Sequence, residues 1–329
     1  MLYLGSIGPQ SQLIGKKLGF EGTDFGGRDI HETFKELDLF LADNSLDIAN
    51  GLFAQKGLEI LESYKTNFAR HYGGKSEEVD FSGHLVEATN YINQWVSKKT
   101  RNKITELFSG NDLGGAIMVV LNAIYFKENW ASKFKLTDTN PATFTNQNGK
   151  KVTVPLMTQK NYFLYGFNSE LKVHVVDMLY AGNNTGMLLV LPEENGDLSS
   201  VERQLNPELL DHLAGELKST VIHLSLPRFE LSLKYESPKL NGALNAIGLG
   251  GFFSLDYSGI SKENPTLTDI VHEAVVEVNE EGTEAAAVSG AVLRSLKIVT
   301  ANRPFLFFIR DRRTGLVMFM GRVNNMSPA

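Results

Sequence analysis

The chain has 329 residues, 42% of them apolar, and a formal net charge of −6. That length is enough for one large domain or two ordinary ones with a sizeable core. The acidic balance argues against nucleic acid or an anionic membrane as a partner, and no stretch approaches the apolar length of a membrane span. The absence of cysteine excludes disulfides, thiol nucleophiles and zinc–thiolate sites, and leaves the compartment open.

The start, MLYLGSIGPQ, lacks the basic residues and apolar run of a signal peptide. It reads as the end of an apolar helix, with Gly5 as the stop. QSQLIGKKL follows as a short helix carrying Lys16 and Lys17 in its last turn. RDIHETFKELDLFL sets Ile30, Phe34, Leu37 and Leu41 at helical spacing. SLDIANGLFAQ reads as a strand, and GLEILESYKTNFARHYGG as a helix ending at Gly73-Gly74. GHLVEATNYINQWVSKK gives a third amphipathic helix. From residue 116 the character changes. AIMVVLNAIYFKENW is an apolar, β-branched run of the kind expected for a strand buried on both faces. KVTVPLM, NYFLYGF, KVHVVDML, TGMLLVLPEE and TVIHLSLPRFELSLKY continue as strands, interrupted by helices at LNPELLDHLAGEL and SPKLNGALNAIG. IVHEAVVEVNE is a strand, and FLFFIR and LVMFMGRV form a hairpin over DRRTG. The irregular interleaving favours an α+β fold over a doubly wound sheet. No repeat or linker divides the chain, so a single domain over 1–329 is expected.

Enzyme chemistry leaves no trace. The seven histidines (His31, His71, His84, His174, His212, His223 and His272) show no metal spacing, and no H-E-x-x-H, G-x-S-x-G or phosphate-loop pattern occurs. GLGGFFS reads as a plain turn, and Glu193-Glu194 as solvated. The tract KKTRNK, Lys98 to Lys103, is the best candidate for a polyanion site, yet a solvated helix end explains it more simply. The same holds for Arg310, Arg312 and Arg313 at the hairpin tip.

One segment has no ordinary explanation. EEGTEAAAVSGAVLRSLKIVTANRPF, Glu280 to Phe305, places a run of small residues, an arginine and a leucine between two apparent buried strands. Its opening VNEEGTEAAA and its close VTANRPFLFFI resemble the hinge and carboxy-terminal signature of the serpins. LNAIYFKENW, LLVLPEE, HLSLPRFEL, LNAIGLGGFF and FMGRVNN follow in serpin order, so the resemblance covers nearly the whole chain. It implies a serpin fold with three β-sheets, a large central one among them, about eight helices and an exposed reactive-centre loop at about 280–301. It also implies an inhibitor, not an enzyme. In that family a serine protease cuts the loop and is held as an acyl-enzyme while the loop inserts into the central sheet as an extra strand.

The segment suits insertion. As a strand it would turn Thr283, Ala285, Ala287, Ser289 and Ala291 to one face, all small enough to pass under covering helices. Glu284, Val288 and Val292 would face the other way. Gly282 would supply backbone freedom at the hinge, and no proline interrupts before Pro304. At about 1 kcal/mol per hydrogen bond, a dozen ordered residues plus apolar burial yield on the order of 10 kcal/mol, comparable to a domain's whole stability. The resemblance makes Glu280, Glu281, Gly282, Thr283, Glu284, Ala285, Ala286, Ala287 and Val288 the hinge, and its small residues favour an inhibitor over a carrier.

Counting forward from Glu280 at the family's interval puts the reactive bond at Leu296–Lys297, suited to chymotrypsin- or elastase-like proteases. Because the segment is shorter than usual, counting back from Asn302 gives Arg294–Ser295 as the alternative, suited to trypsin-like ones; it leaves an unusually short inserting strand, so Leu296 ranks ahead. Asn122 and His272 match the polar shutter of the central sheet, and Trp130 matches the breach tryptophan. Residue 1 aligns within the family's second helix, so the chain is expected to be shortened at its amino end. No cofactor or metal is expected, and a monomer is. Glu32, Glu36 and Asp38 argue against heparin on the helix 28–41. Sequons at Asn183 and Asn325 favour secretion, with the cytoplasm as the alternative.

Overall fold

A computed structural model describes residues 1–20, 23, 27, 29–43, 45–282 and 297–328. The chain forms two compact units, each from two separate stretches: Met1–Lys127 with Glu230–Glu277, and Glu128–Phe229 with Val278–Ala329.

The first unit opens with α1 (Leu2–Gly5), α2 (Pro9–Lys17) and α3 (Ile30–Asp43), then β1 (Leu46–Gln55), α4 (Glu62–Tyr72), β2 (Lys75–Val79), α5 (Leu85–Lys99) and β3 (Met118–Phe126). α4 stops where expected, at Gly73 in the left-handed region (φ 55°). α1 does not stop as expected: Gly5 is its last helical residue, and Ser6 after it is extended.

The second unit holds β4 (Thr139–Thr145), β5 (Lys151–Asn168), β6 (Val173–Leu179), β7 (Thr185–Pro192), α6 (Leu198–Gln204), α7 (Pro207–Gly215) and β8 (Lys218–Pro227). β9 (Phe229–Tyr235), α8 (Lys239–Ala246) and β10 (Leu267–Val278) return to the first. β11 (Lys297–Thr300), β12 (Phe305–Asp311) and β13 (Val317–Val323) complete the second. Asn206 caps α7 by accepting from the Leu209 amide, with Pro207 in the first turn.

The five-stranded sheet has the order β2-β1-β3-β10-β9. β1 pairs antiparallel with β3, and β3 pairs parallel with β10. α5 packs its Ala88, Ile92 and Val96 face on one side of this sheet, against Val119, Leu121 and Ala123 of β3 and Val271 and Val275 of β10. β3 and β10 therefore meet beneath a helix; β3 reads as a near-continuous apolar run, whereas β10 alternates apolar with polar residues.

The other sheet has eight strands in the order β11-β8-β5-β6-β7-β12-β13, with β4 also on β5. The α+β class and eight α-helices are as expected, among the described residues. The count of sheets differs. KVTVPLM and NYFLYGF are one 18-residue strand, β5. It pairs with β4 over Lys151–Met157, with β8 over Leu156–Tyr165 and with β6 over Leu164–Asn168, so the two smaller sheets implied by the resemblance are one hydrogen-bonded sheet. β2, β4 and α6 had no expectation, and Lys297–Thr300, expected within the loop at about 280–301, is strand β11.

Candidate functional site

The parallel ladder of β3 and β10 sets Asn122 opposite His272, and the antiparallel ladder of β1 and β3 sets Asn50 opposite Asn122. Three polar side chains thus lie in one row across three apolar strands. His272 Nδ1 is 2.7 Å from Asn122 Oδ1, and Asn122 Nδ2 donates to Asn50 Oδ1 at 2.8 Å. Asn50 Nδ2 in turn donates to the carbonyl of Tyr72 at the end of α4, at 2.9 Å. The Tyr72 hydroxyl lies 2.7 Å from His31 Nδ1 on α3. Burial lowers the pKa of His272, against a smaller raising effect of its bond to Asn122, so at neutral pH the ring is uncharged. The row satisfies amides that would otherwise be costly in this setting.

The segment that leaves β10 is held differently, within the second unit. The Trp130 indole Nε1 donates to the Asn279 carbonyl at 2.8 Å. The Trp130 amide donates to the Glu281 carbonyl at 3.0 Å, and the Phe134 amide to the Glu280 carbonyl at 3.2 Å. Trp130 stacks on Tyr180 with centroids 4.4 Å apart and planes 10° apart. Glu280 is 6% exposed. Its Oε1 accepts from Thr139 Oγ1 at 2.8 Å and lies 3.5 Å from Arg228 Nη1. At Gly282 a Cβ would fall 2.5 Å from the Trp130 carbonyl oxygen and 2.9 Å from Lys133 Cα. Close backbone approach therefore accounts for this glycine directly, beside the freedom expected of a hinge.

The chain is next described at Lys297, the first residue of β11. That strand lies at the edge of the eight-stranded sheet, parallel to β8, with Lys297 opposite Ile222 and Ile298 opposite His223. Thr283, Glu284, Ala285, Ala286, Ala287, Val288, Arg294, Ser295 and Leu296 lie outside the described residues.

Of the residues named from sequence, Asn122 and His272 meet, Glu280, Glu281 and Gly282 meet Trp130, and Lys297 anchors β11. Asn50, Tyr72, Thr139, Tyr180 and Arg228 were missed. An asparagine inside the apolar run of β1 was the one visible signal, at Asn50. Two residues of the tract Lys98 to Lys103 are engaged in ion pairs: Arg101 Nε is 2.7 Å from Asp47 Oδ2, and Lys103 Nζ is 2.7 Å from Glu277 Oε2. Arg310, Arg312 and Arg313 pair with Asp211, Asp177 and Asp311. On α3, Glu32 pairs with Arg70 at 2.6 Å. Asn183 and Asn325 are exposed.

These features define a protein with a parallel seam crossed by a polar row in one sheet, and in the other an edge strand that begins at Lys297. A family profile described as "Serpin (serine protease inhibitor)" matches residues 1–326. The chain belongs to the serpin family, whose description is that of inhibitors, not enzymes. It is 35% identical to leukocyte elastase inhibitor A of Rattus norvegicus, over 98% of this chain and 89% of that protein. It is 34% identical to intracellular coagulation inhibitor 1 of Tachypleus tridentatus, over 99% of this chain and 81% of the relative. Its fold superposes on thyroxine-binding globulin in complex with thyroxine with a TM-score of 0.86, at 30% identity, over 98% of this chain and 88% of the other.

Proposed function

We propose that the chain is a suicide inhibitor of a serine protease, acting by loop cleavage and insertion of the cut segment between β3 and β10. The observation that carries this is the parallel seam. A chain that leaves β10 and folds straight back runs antiparallel to β10. Because β3 is parallel to β10, a strand placed between them is antiparallel to both. Insertion therefore replaces one slanted parallel ladder with two antiparallel ones, which are slightly stronger per residue. The small side chains from Thr283 to Ala291 suit a strand that must pass beneath α5.

In this reading Glu280 to Val288 form the hinge. Glu280, Glu281 and Gly282 are held at Trp130 until the cut, and Asn122 and His272 latch the seam. The family's interval supports Leu296–Lys297 as the reactive bond. The start of β11 supports Arg294–Ser295, and we favour it. A protease takes the residues beyond the scissile bond as an extended strand of its own complex, whereas Lys297 is the first rung of the ladder on β8. A cut after Arg294 leaves two residues before that rung, and arginine there selects trypsin-like enzymes. The relative named for leukocyte elastase supports the other bond. Incubation with trypsin, chymotrypsin and elastase, read by denaturing gel and by the mass of the released fragment, tests both points. A covalent band supports inhibition, and cleavage without one refutes it.

A second reading, a serpin that binds a small ligand without inhibiting, draws support from the relative solved with thyroxine. A protease complex stable to denaturing gels separates inhibition from that reading and from an inactive fragment, and heat resistance gained on cleavage tests insertion separately. We take the chain to act as a monomer without a cofactor or heparin. The name of the coagulation inhibitor supports the cytoplasm, and the exposed sequons support secretion; sensitivity of the mass to a glycosidase separates them.

A further inference from the structure

We infer that Glu277 is a positioning residue that sets how fast the β3–β10 seam opens. The inference rests on the insertion reading above. Glu277 follows the last paired rung of the seam, Val276 opposite Phe126. Its carboxylate is 15% exposed and gathers three groups. Lys103 Nζ, from the turn after α5, lies 2.7 Å from Oε2. Lys127 Nζ, just past β3, lies 3.2 Å from Oε1. The Tyr125 hydroxyl of β3 donates to Oε2 at 3.2 Å. Lys103 also reaches Glu230 on β9 at 3.4 Å and lies 5.9 Å from the centre of the Tyr125 ring. One carboxylate thus ties β10 to β3 across the seam and to the turn that ends the covering helix.

The geometry gives this cluster a consequence that an ordinary surface ion pair lacks. A strand entering between β3 and β10 moves them from about 4.8 Å apart to about twice that. No bond of 3.2 Å survives such a move, so the bonds from Glu277 to Tyr125 and Lys127 must break before the new ladders form. Bonds that break ahead of the barrier slow the step, and their removal speeds it. Charge-assisted bonds to a mostly buried carboxylate are also stronger than exposed pairs. The basic tract that resembled a polyanion site contributes Lys103 to this clasp.

The test uses the full chain and a labelled synthetic peptide of its own sequence TEAAAVSGAVLRSL, Thr283 to Leu296, with uptake followed on native gels. Uptake should be about fivefold faster in Glu277→Gln and in Lys127→Met than in the parent chain. Tyr125→Phe, which keeps the ring, should give a smaller gain in the same direction. Raised salt should speed uptake by the parent chain and leave Glu277→Gln unchanged. Glu62→Gln, which removes an exposed pair with Lys65 on α4, should have no effect on the rate. Equal rates in the parent and Glu277→Gln overturn the inference while leaving insertion intact. A gain in Glu62→Gln equal to that in Glu277→Gln overturns it too, since general loosening would then be the cause. Uptake by none of the proteins sinks the insertion reading itself and this inference with it.

Discussion

His272 Nδ1 lies 2.7 Å from Asn122 Oδ1, and the two side chains face each other from parallel strands. With Asn50 they make a polar row whose members satisfy one another. Replacing Asn122 by alanine strips both neighbours of a partner at once. The expected cost is about 1–2 kcal/mol, toward the low end of the penalty for unmet polar groups because both neighbours are only partly buried. Denaturant unfolding of Asn122→Ala measures it, and an unchanged midpoint would remove the row from the account.

The same row fixes a pH dependence. Burial lowers the pKa of His272, and it also lowers those of His31 and His174. In the unfolded chain these rings take up protons near the ordinary value, about 6.5. Below that pH the unfolded state binds more protons than the folded one, so stability falls as pH falls. It is fully present above about pH 6.5 and declines from there toward the lowered folded values. Unfolding midpoints between pH 7.5 and 5 check this, and His272→Gln should flatten part of the slope.

At the exit from β10, the Trp130 indole supports the Asn279 carbonyl and the ring stacks on Tyr180. Trp130→Phe keeps a ring for the stack and loses the donor. Its expected cost is about 1 kcal/mol. Glu280→Ala removes the acceptor for Thr139 and the partner of Arg228. It should cost about 1.5–3 kcal/mol, because it removes hydrogen bonds made to a charged group. Thermal melts of the two variants rank them, and the reverse order would mean that the indole donor, not the carboxylate, holds the exit.

Thr283→Arg tests the insertion path from sequence. A long charged side chain at the first small position must be forced beneath a covering helix, where overpacking and burial of charge both oppose it. Cleavage by the target protease should proceed at an unchanged rate, while the covalent complex disappears. A complex formed in full by Thr283→Arg would show that this face is not buried in the product.

The sequence exposed the fold through motifs more than through periodicity. α4, α5 and the β12–β13 hairpin follow from local pattern, with Gly73 and the DRRTG turn marking their ends. β2 and α6 are short and carry few apolar residues, so no period marks them. Among the described residues, the polar row and the exit from β10 were legible where the family's wording is dense, from Val278 to Gly282 and at Asn122, Trp130 and His272. Its supporting partners were not. Asn50 reaches Asn122 only through the register of two strands far apart in the chain, and Lys103 reaches Glu277 across a still longer separation. Charge alone made Lys98 to Lys103 look like a surface for polyanions, because an ion pair formed through tertiary structure leaves no local trace.

The most direct measurement is the melting temperature before and after a single cut in the segment between Gly282 and Lys297, made with a trace of protease and confirmed by mass. Insertion on the order of 10 kcal/mol predicts a rise of at least about 15 °C for a chain of this size. An unchanged or lower melting temperature, with the cut complete, would contradict a seam built to accept that strand.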